Sequence, residues 1–148
     1  MCSDPNFVEA NEVRPVVIDT NIVLDLLVFH DPGTEALRLA LAAGQVRWLA
    51  TADMREELLR VLGYPKIKAR LDAQHNTAEQ VMRQFDTQAQ IRAEASRVPL
   101  RCQDPDDQKF LDLAVAHKAT LLSKDRALLC LKKRLLVLSV RAQTALDL

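Results

Sequence analysis

The chain alternates between short unbroken apolar runs and longer stretches in which apolar residues recur every three or four positions. Val16-Val17-Ile18 is a β-branched run that ends abruptly in Asp19-Thr20-Asn21. Such a run reads as a short buried strand. Residues from about Asn21 to Phe29 follow with helical periodicity, and His30-Asp31-Pro32-Gly33-Thr34 is a turn by composition. Thr34 is placed to cap a second helix through Ala43, which Gly44 stops. Val46 to Ala50 reads as another short buried strand. Thr51 then opens a helix from Ala52 to Leu62, ended by Gly63 with Pro65 beyond.

The stretch from Lys66 to Arg97 is polar and helical, with a sparse apolar stripe and a break at Asn76-Thr77. A helix is predicted from Pro105 to about Lys118, a strand from Ala119 to Ser123 and a short helix from Arg126 to Leu131. Leu135 to Leu138 reads as a last strand, and Arg141 to Leu148 as a closing helical turn or two. Strands alternating with helices point to parallel βαβ units. The expected fold class is therefore α/β. Residues 1–14 read as a loose polar lead-in and 15–148 as a single domain.

Composition narrows the field mainly by exclusion. The chain has 148 residues, 49% of them hydrophobic, which suffices for one core. Its 20 basic residues balance 20 acidic ones, which counts against a protein that holds nucleic acid by charge alone. No apolar run approaches a membrane span. Met1 to Asn6 carries no positive n-region or apolar h-region, so a reducing cytoplasm is the expected location. Cys2, Cys102 and Cys130 are scattered and form neither a zinc spacing nor a disulfide framework. His30, His75 and His117 are isolated, and Gly33, Gly44 and Gly63 stand singly, so no phosphate-cradling glycine loop is present.

What remains is a set of acidic residues, each with a dull explanation beside a chemical one. Asp19 ends the first strand and could simply cap a helix, but Thr20 or Asn21 could cap as readily. Glu57 falls inside or beside the helical stripe of Met54, Leu58, Val61 and Leu62, whereas Glu56 points to a more polar side. Asp104, Pro105 and Asp107 make a good helix start, with acids favoured by the helix dipole. Asp107 also shares a face with Phe110, Leu111 and Ala114. It is the better candidate there, with Asp104 beside it as a second. Asp125 repeats the position of Asp19: strand end, polar turn, helix start. Carboxylates gathered at such strand ends repel one another unless a cation sits among them. Oxygen ligands without His or Cys suit Mg²⁺ or Mn²⁺.

In its motifs the chain resembles a PIN domain, the ribonuclease fold of many toxin–antitoxin toxins. The matching segments are Val17-Ile18-Asp19-Thr20-Asn21, Glu56-Glu57-Leu58, the run from Asp104 to Ala114 and Leu121-Leu122-Ser123-Lys124-Asp125. The resemblance spans roughly residues 15–140. It implies a three-layer α/β/α sandwich with a short, mainly parallel sheet of five strands in order 3-2-1-4-5, although the hydrophobic pattern marks only four. The fifth is expected near Val98–Leu100 or the C-terminus. The resemblance also implies that Asp19, Glu57, Asp107 and Asp125 are catalytic acids holding Mg²⁺ or Mn²⁺. Asp107 is preferred because it stands eighteen positions before Asp125, the family's usual interval. Asn21, Ser123, Lys124 and Asp104 would orient or bind substrate. Lys124, Arg126, Lys132, Lys133 and Arg134 form a basic cluster that is either an RNA-backbone contact or an ordinary solvated face. The implied activity is metal-dependent endoribonuclease cleavage of RNA by a toxin silenced by a cognate antitoxin protein. A homodimer without membrane attachment is the implied assembly, with the helical region from Lys66 to Arg97 as an interaction surface. The alternatives are a catalytically weak PIN-fold interaction module and a receiver-type signalling domain. The latter would need an acidic pair after strand one, where this chain has Thr20 and Asn21.

Overall fold

Val16, Val17 and Ile18 are stable as a strand only with both sheet faces covered. The computed structural model places them in the central strand of a five-stranded sheet. Residues 13–146 are described. Residues 1–12 of the lead-in expected over 1–14, with Cys2, and the last two residues of the expected closing turn lie outside the described residues.

In chain order the elements are β1 (Arg14–Ile18), α1 (Thr20–Leu24) continued by a π-helical turn (Asp25–Phe29), a 3-10 turn (Pro32–Thr34), α2 (Glu35–Ala42), β2 (Val46–Ala50), α3 (Ala52–Leu62), α4 (Pro65–Ala73) and α5 (Ala78–Gln88). They continue as β3 (Ala89–Ile91), a 3-10 turn (Pro105–Asp107), α6 (Gln108–His117), β4 (Thr120–Leu122), α7 (Arg126–Leu129), α8 (Lys132–Val137) and β5 (Ala142–Gln143). The strand order is β3-β2-β1-β4-β5 and every ladder is parallel. The α/β/α architecture and the strand order are those the resemblance implied.

The order of strands positions the site. From β1 the chain steps outward to β2 and β3, then returns to the other side of β1 for β4 and β5. The steps reverse between β1 and β4, and ligand crevices of open α/β sheets form at the carboxyl ends of strands at such a switch point. Register sharpens this: Ile18 pairs with Leu122, and the Asp19 N–H donates to the Leu122 carbonyl at 3.0 Å. The residues following both strands are therefore held side by side.

Local chemistry explains the helices around this edge. The Thr51 hydroxyl accepts from the Met54 N–H at 3.3 Å and opens α3, whose buried face is Met54, Leu58 and Leu62. Thr77 and Gln80 form a reciprocal capping box that opens α5. Phe85 of α5 meets Trp48 of β2 edge to face, with ring centroids 5.1 Å apart, so Trp48 is a core residue. Thr34 stands before α2, but its hydroxyl donates to the Asp31 carbonyl at 2.7 Å and makes no cap bond.

Four expectations need correction. The helical reading of Lys66 to Arg97 hides β3 at Ala89–Ile91, which pairs with β2. This edge strand is only three residues long and partly exposed, so it leaves no alternating or buried run in the sequence. Leu135 to Leu138 is not a strand: α8 covers Lys132–Val137. Leu135 is fully buried, one turn after buried Leu131, while Val137 is 85% exposed. That is one-sided helical burial, whereas a continuous apolar strand needs two covered faces. The closing segment instead gives β5 at Ala142–Gln143, pairing with Leu121 and Leu122. Val98–Leu100 forms no strand. It is tied to α6 by side chains: Asp112 Oδ1 accepts from the Val98 N–H at 3.1 Å, and Gln108 Nε2 donates to the Leu100 carbonyl at 3.0 Å.

Candidate metal centre

Asp19 follows β1 directly. Its Oδ1 accepts the Ile22 N–H at 3.0 Å, capping α1, and its Oδ2 accepts the Ser123 hydroxyl. Capping and membership of the acidic site are therefore compatible in one side chain. Asp19 is 3% exposed. Burial pushes its carboxyl above the ordinary range, the bonds from Ser123 and Ile22 pull it back, and the charges of Asp125 and Asp25 push it up again.

Ser123, at the end of β4, is fully buried and works in two directions. Its hydroxyl donates to Asp19 and accepts the Asp125 N–H at 2.9 Å. One hydroxyl thus ties the two strand ends together. Asp125 then caps α7 by accepting the Ala127 N–H at 2.9 Å.

The third segment comes from the start of α6. Asp104 Oδ1 accepts the Asp106 N–H at 3.0 Å and shapes the 3-10 turn that carries Asp107. One carboxylate oxygen from each of Asp104, Asp107 and Asp125 lies within 4.8 Å of the other two. Among the described residues this is the one such group of His, Cys, Asp or Glu. Asp107 Oδ2 is buried and finds no hydrogen-bond partner among the described residues. Burial, a hydrogen bond shared with Asp125 and the charges of Asp125, Asp104 and Asp19 push the Asp107 carboxyl up to about 8. The shared bond and the Ala127 N–H hold Asp125 below its ordinary value.

This donor set fits a hard divalent cation. Oxygens bound to one ion at about 2.0–2.6 Å stand up to about 4–5 Å apart, which matches the spread of the triad. A cation there would partner the orphaned Asp107 oxygen and relieve the mutual repulsion.

Glu57 reaches the same crevice by another route. It projects from α3 into a cleft of about 310 Å³ that Asp19, Asn21 and Asp107 also line. Its Oε2 accepts the Thr20 hydroxyl at 2.8 Å, and its Oε1 is ion-paired with the Lys109 ammonium. Glu57 thus has both oxygens satisfied and stands outside the triad.

The PIN domain family model matches residues 15–127. This chain belongs to the PIN domain family. No curated protein matches it. A PIN domain is a nuclease fold, and PIN nucleases use divalent metals, which accords with the acidic triad. The match runs from β1 into α7, so Asp19, Glu57, Asp107 and Asp125 all fall within the PIN region. No helix among the described residues is long and apolar enough to cross a membrane.

The PIN site includes partners that sequence reasoning did not single out. Lys109 is one: besides Glu57, its ammonium reaches the Asp106 carbonyl at 2.8 Å. Its signal was its place two residues after Asp107. Thr20 is another, signalled only by adjacency to Asp19. Gln108 is a third: its Oε1 accepts the Cys102 N–H at 2.7 Å and its Nε2 donates to Asp112 at 2.9 Å. With Asp112 it clamps the segment leading into Asp104. Lys124, expected to contact substrate, is ion-paired with Asp25 at 2.5 Å and lies 3.9 Å from Asp31. Lys132, Lys133 and Arg134 are exposed on α8.

Proposed function

We propose that this PIN domain is a Mg²⁺- or Mn²⁺-dependent endoribonuclease and the toxin of a toxin–antitoxin pair. The observation that carries the reading is the buried, unpartnered Asp107 oxygen inside a triad of carboxylates. An ordinary capping cluster would leave no buried acceptor orphaned, because such an atom costs about 1–3 kcal/mol. Asp104, Asp107 and Asp125 would hold the ion, with Asp19 completing the acidic surface beside them.

When bound, Mg²⁺ or Mn²⁺ supplies a Lewis acid for the phosphodiester and a means of activating water at neutral pH. The chain's own residues do the positioning. Ser123 fixes Asp19 relative to Asp125 through its two bonds. Gln108 and Asp112 hold the loop segment that delivers Asp104. Lys109 neutralises Glu57 and lowers the negative potential at the rim, where a phosphate must approach. The same uncompensated carboxylates would receive an arginine of a cognate antitoxin, which blocks the cleft.

Incubation with mixed structured RNAs, with Mg²⁺, Mn²⁺ or EDTA, tests this reading beside an Asp19→Asn variant. The expected result is metal-dependent cleavage that EDTA and the substitution both abolish. Cleavage at full rate in the variant would place the chemistry elsewhere.

A further inference from the structure

The cleft lined by Asp19, Glu57 and Asp107 is not lined by acids alone. Apolar Leu24, Val61 and Ile67 line it too, and so do Tyr64 and Lys66. Tyr64 is the chain's single tyrosine and is 49% exposed. Among the described residues it is the one exposed aromatic: Trp48, Phe85 and Phe110 are buried and Phe29 is partly buried.

The backbone beneath this ring is fixed. Gly63 and Tyr64 form the short link between α3 and α4. The Tyr64 N–H donates to the Val61 carbonyl at 3.0 Å, and the Lys68 N–H donates to the Tyr64 carbonyl at 2.8 Å. Pro65 starts α4 and restricts the chain on the other side. A ring on so constrained a link offers its face at little ordering cost.

Charge leaves a gap that such a ring would fill. The chain carries no net charge, and Lys109 is committed to Glu57. Phosphate contacts alone are therefore a weak source of affinity. Stacking of a base on an aromatic side chain is worth roughly 1–3 kcal/mol and needs no net positive field. A base in a duplex already has its faces covered by its neighbours, whereas an unpaired base can be splayed out onto a ring.

We propose that Tyr64 is the stacking platform for an unpaired nucleobase next to the scissile phosphate, with Lys66 beside it as a phosphate contact. This inference rests on the nuclease reading for its substrate class, but it makes a separate prediction about binding. Tyr64 sets affinity, and the carboxylates set turnover.

The test is binding of a short labelled oligouridylate to proteins carrying Asp19→Asn, which stops cleavage, with Tyr64 native, Tyr64→Leu or Tyr64→Phe. Tyr64→Leu is expected to weaken binding about tenfold and Tyr64→Phe to restore it, since the ring alone provides the stack. In proteins with native Asp19, Tyr64→Leu raises KM and leaves kcat near its native value. Equal affinity of the Tyr64→Leu and native-Tyr64 proteins would overturn the inference. So would equal losses in Tyr64→Leu and Tyr64→Phe, because the phenol and not the ring face would then be the contact. If no protein cleaves RNA but Tyr64→Leu still weakens binding, the nuclease reading fails and the Tyr64 assignment stands. If cleavage depends on metal and Asp19 while Tyr64→Leu has native KM and affinity, the assignment fails and the nuclease reading stands.

Discussion

Asp107 and Glu57 line one cleft, and they have solved the same electrostatic problem in opposite ways. Glu57 has Thr20 on one oxygen and Lys109 on the other. Asp107 has a buried oxygen without a partner and faces Asp104 and Asp125. Its carboxyl is pushed up to about 8, chiefly by burial. The difference separates a carboxylate that the protein has already neutralised from one that waits for an external charge. Sequence position alone does not distinguish them, because both sit on helices at the edge of an apolar stripe.

The largest expected effect comes from removing the uncompensated acid. Asp107→Asn is expected to lower kcat/KM for RNA cleavage by more than about a hundredfold. Glu57→Gln should cost about ten- to a hundredfold, the range typical of groups that orient ligands. Steady-state cleavage assays at fixed Mn²⁺ would show the ranking, and equal losses would erase the contrast between the two acids.

Lys109→Met should come next. It leaves Glu57 without its cation in a partly buried setting, since each side chain is 18% exposed. The expected destabilisation is about 1–2 kcal/mol, between the values for exposed and buried pairs. Urea melts would measure it. Divalent cations should recover part of the loss, because Glu57 then becomes a second uncompensated carboxylate.

The narrowest effect, confined to the metal-free protein, is a pH dependence. The folded state holds the Asp107 proton up to about 8, whereas the ordinary value is 3.8. Between those values the folded state binds more protons than the unfolded state, so this group makes stability fall as pH rises. Asp125, held low, acts in the opposite sense, and its contribution is lost only as pH falls through its folded value. Thermal melts in EDTA should show native protein losing stability from about pH 4 to pH 8, with Asp107→Asn losing less. Parallel pH profiles would contradict the assigned burial of the Asp107 charge.

How much of this was legible beforehand follows from burial. β1, β2 and β4 announce themselves through compact apolar runs that stop at polar residues. The ends of β1 and β4 therefore marked Asp19 and Asp125. Asp107 was legible because Phe110, Leu111 and Ala114 on its face are buried, while Asp106 is exposed. β3 and β5 left no mark in the hydrophobic pattern, because two or three residues at a sheet edge carry no period; only the resemblance asked for a further short strand, and its C-terminal alternative is where β5 lies. Leu135 to Leu138 misled for the converse reason: four apolar residues in a row look buried, although Leu136 and Val137 face outward. The pairing of Glu57 with Lys109 joins α3 to α6, and only the folded chain brings those residues together.

The central claim concerns where a cation binds, and manganese binding tests it most directly. Mn²⁺ titrated into native protein, Asp107→Asn and Glu57→Gln can be followed by the paramagnetic resonance of the free ion. The account predicts that the native protein and Glu57→Gln bind Mn²⁺ with affinities within about tenfold of each other. Asp107→Asn should lose the site. Binding by Asp107→Asn as tight as that of the native protein would contradict the account.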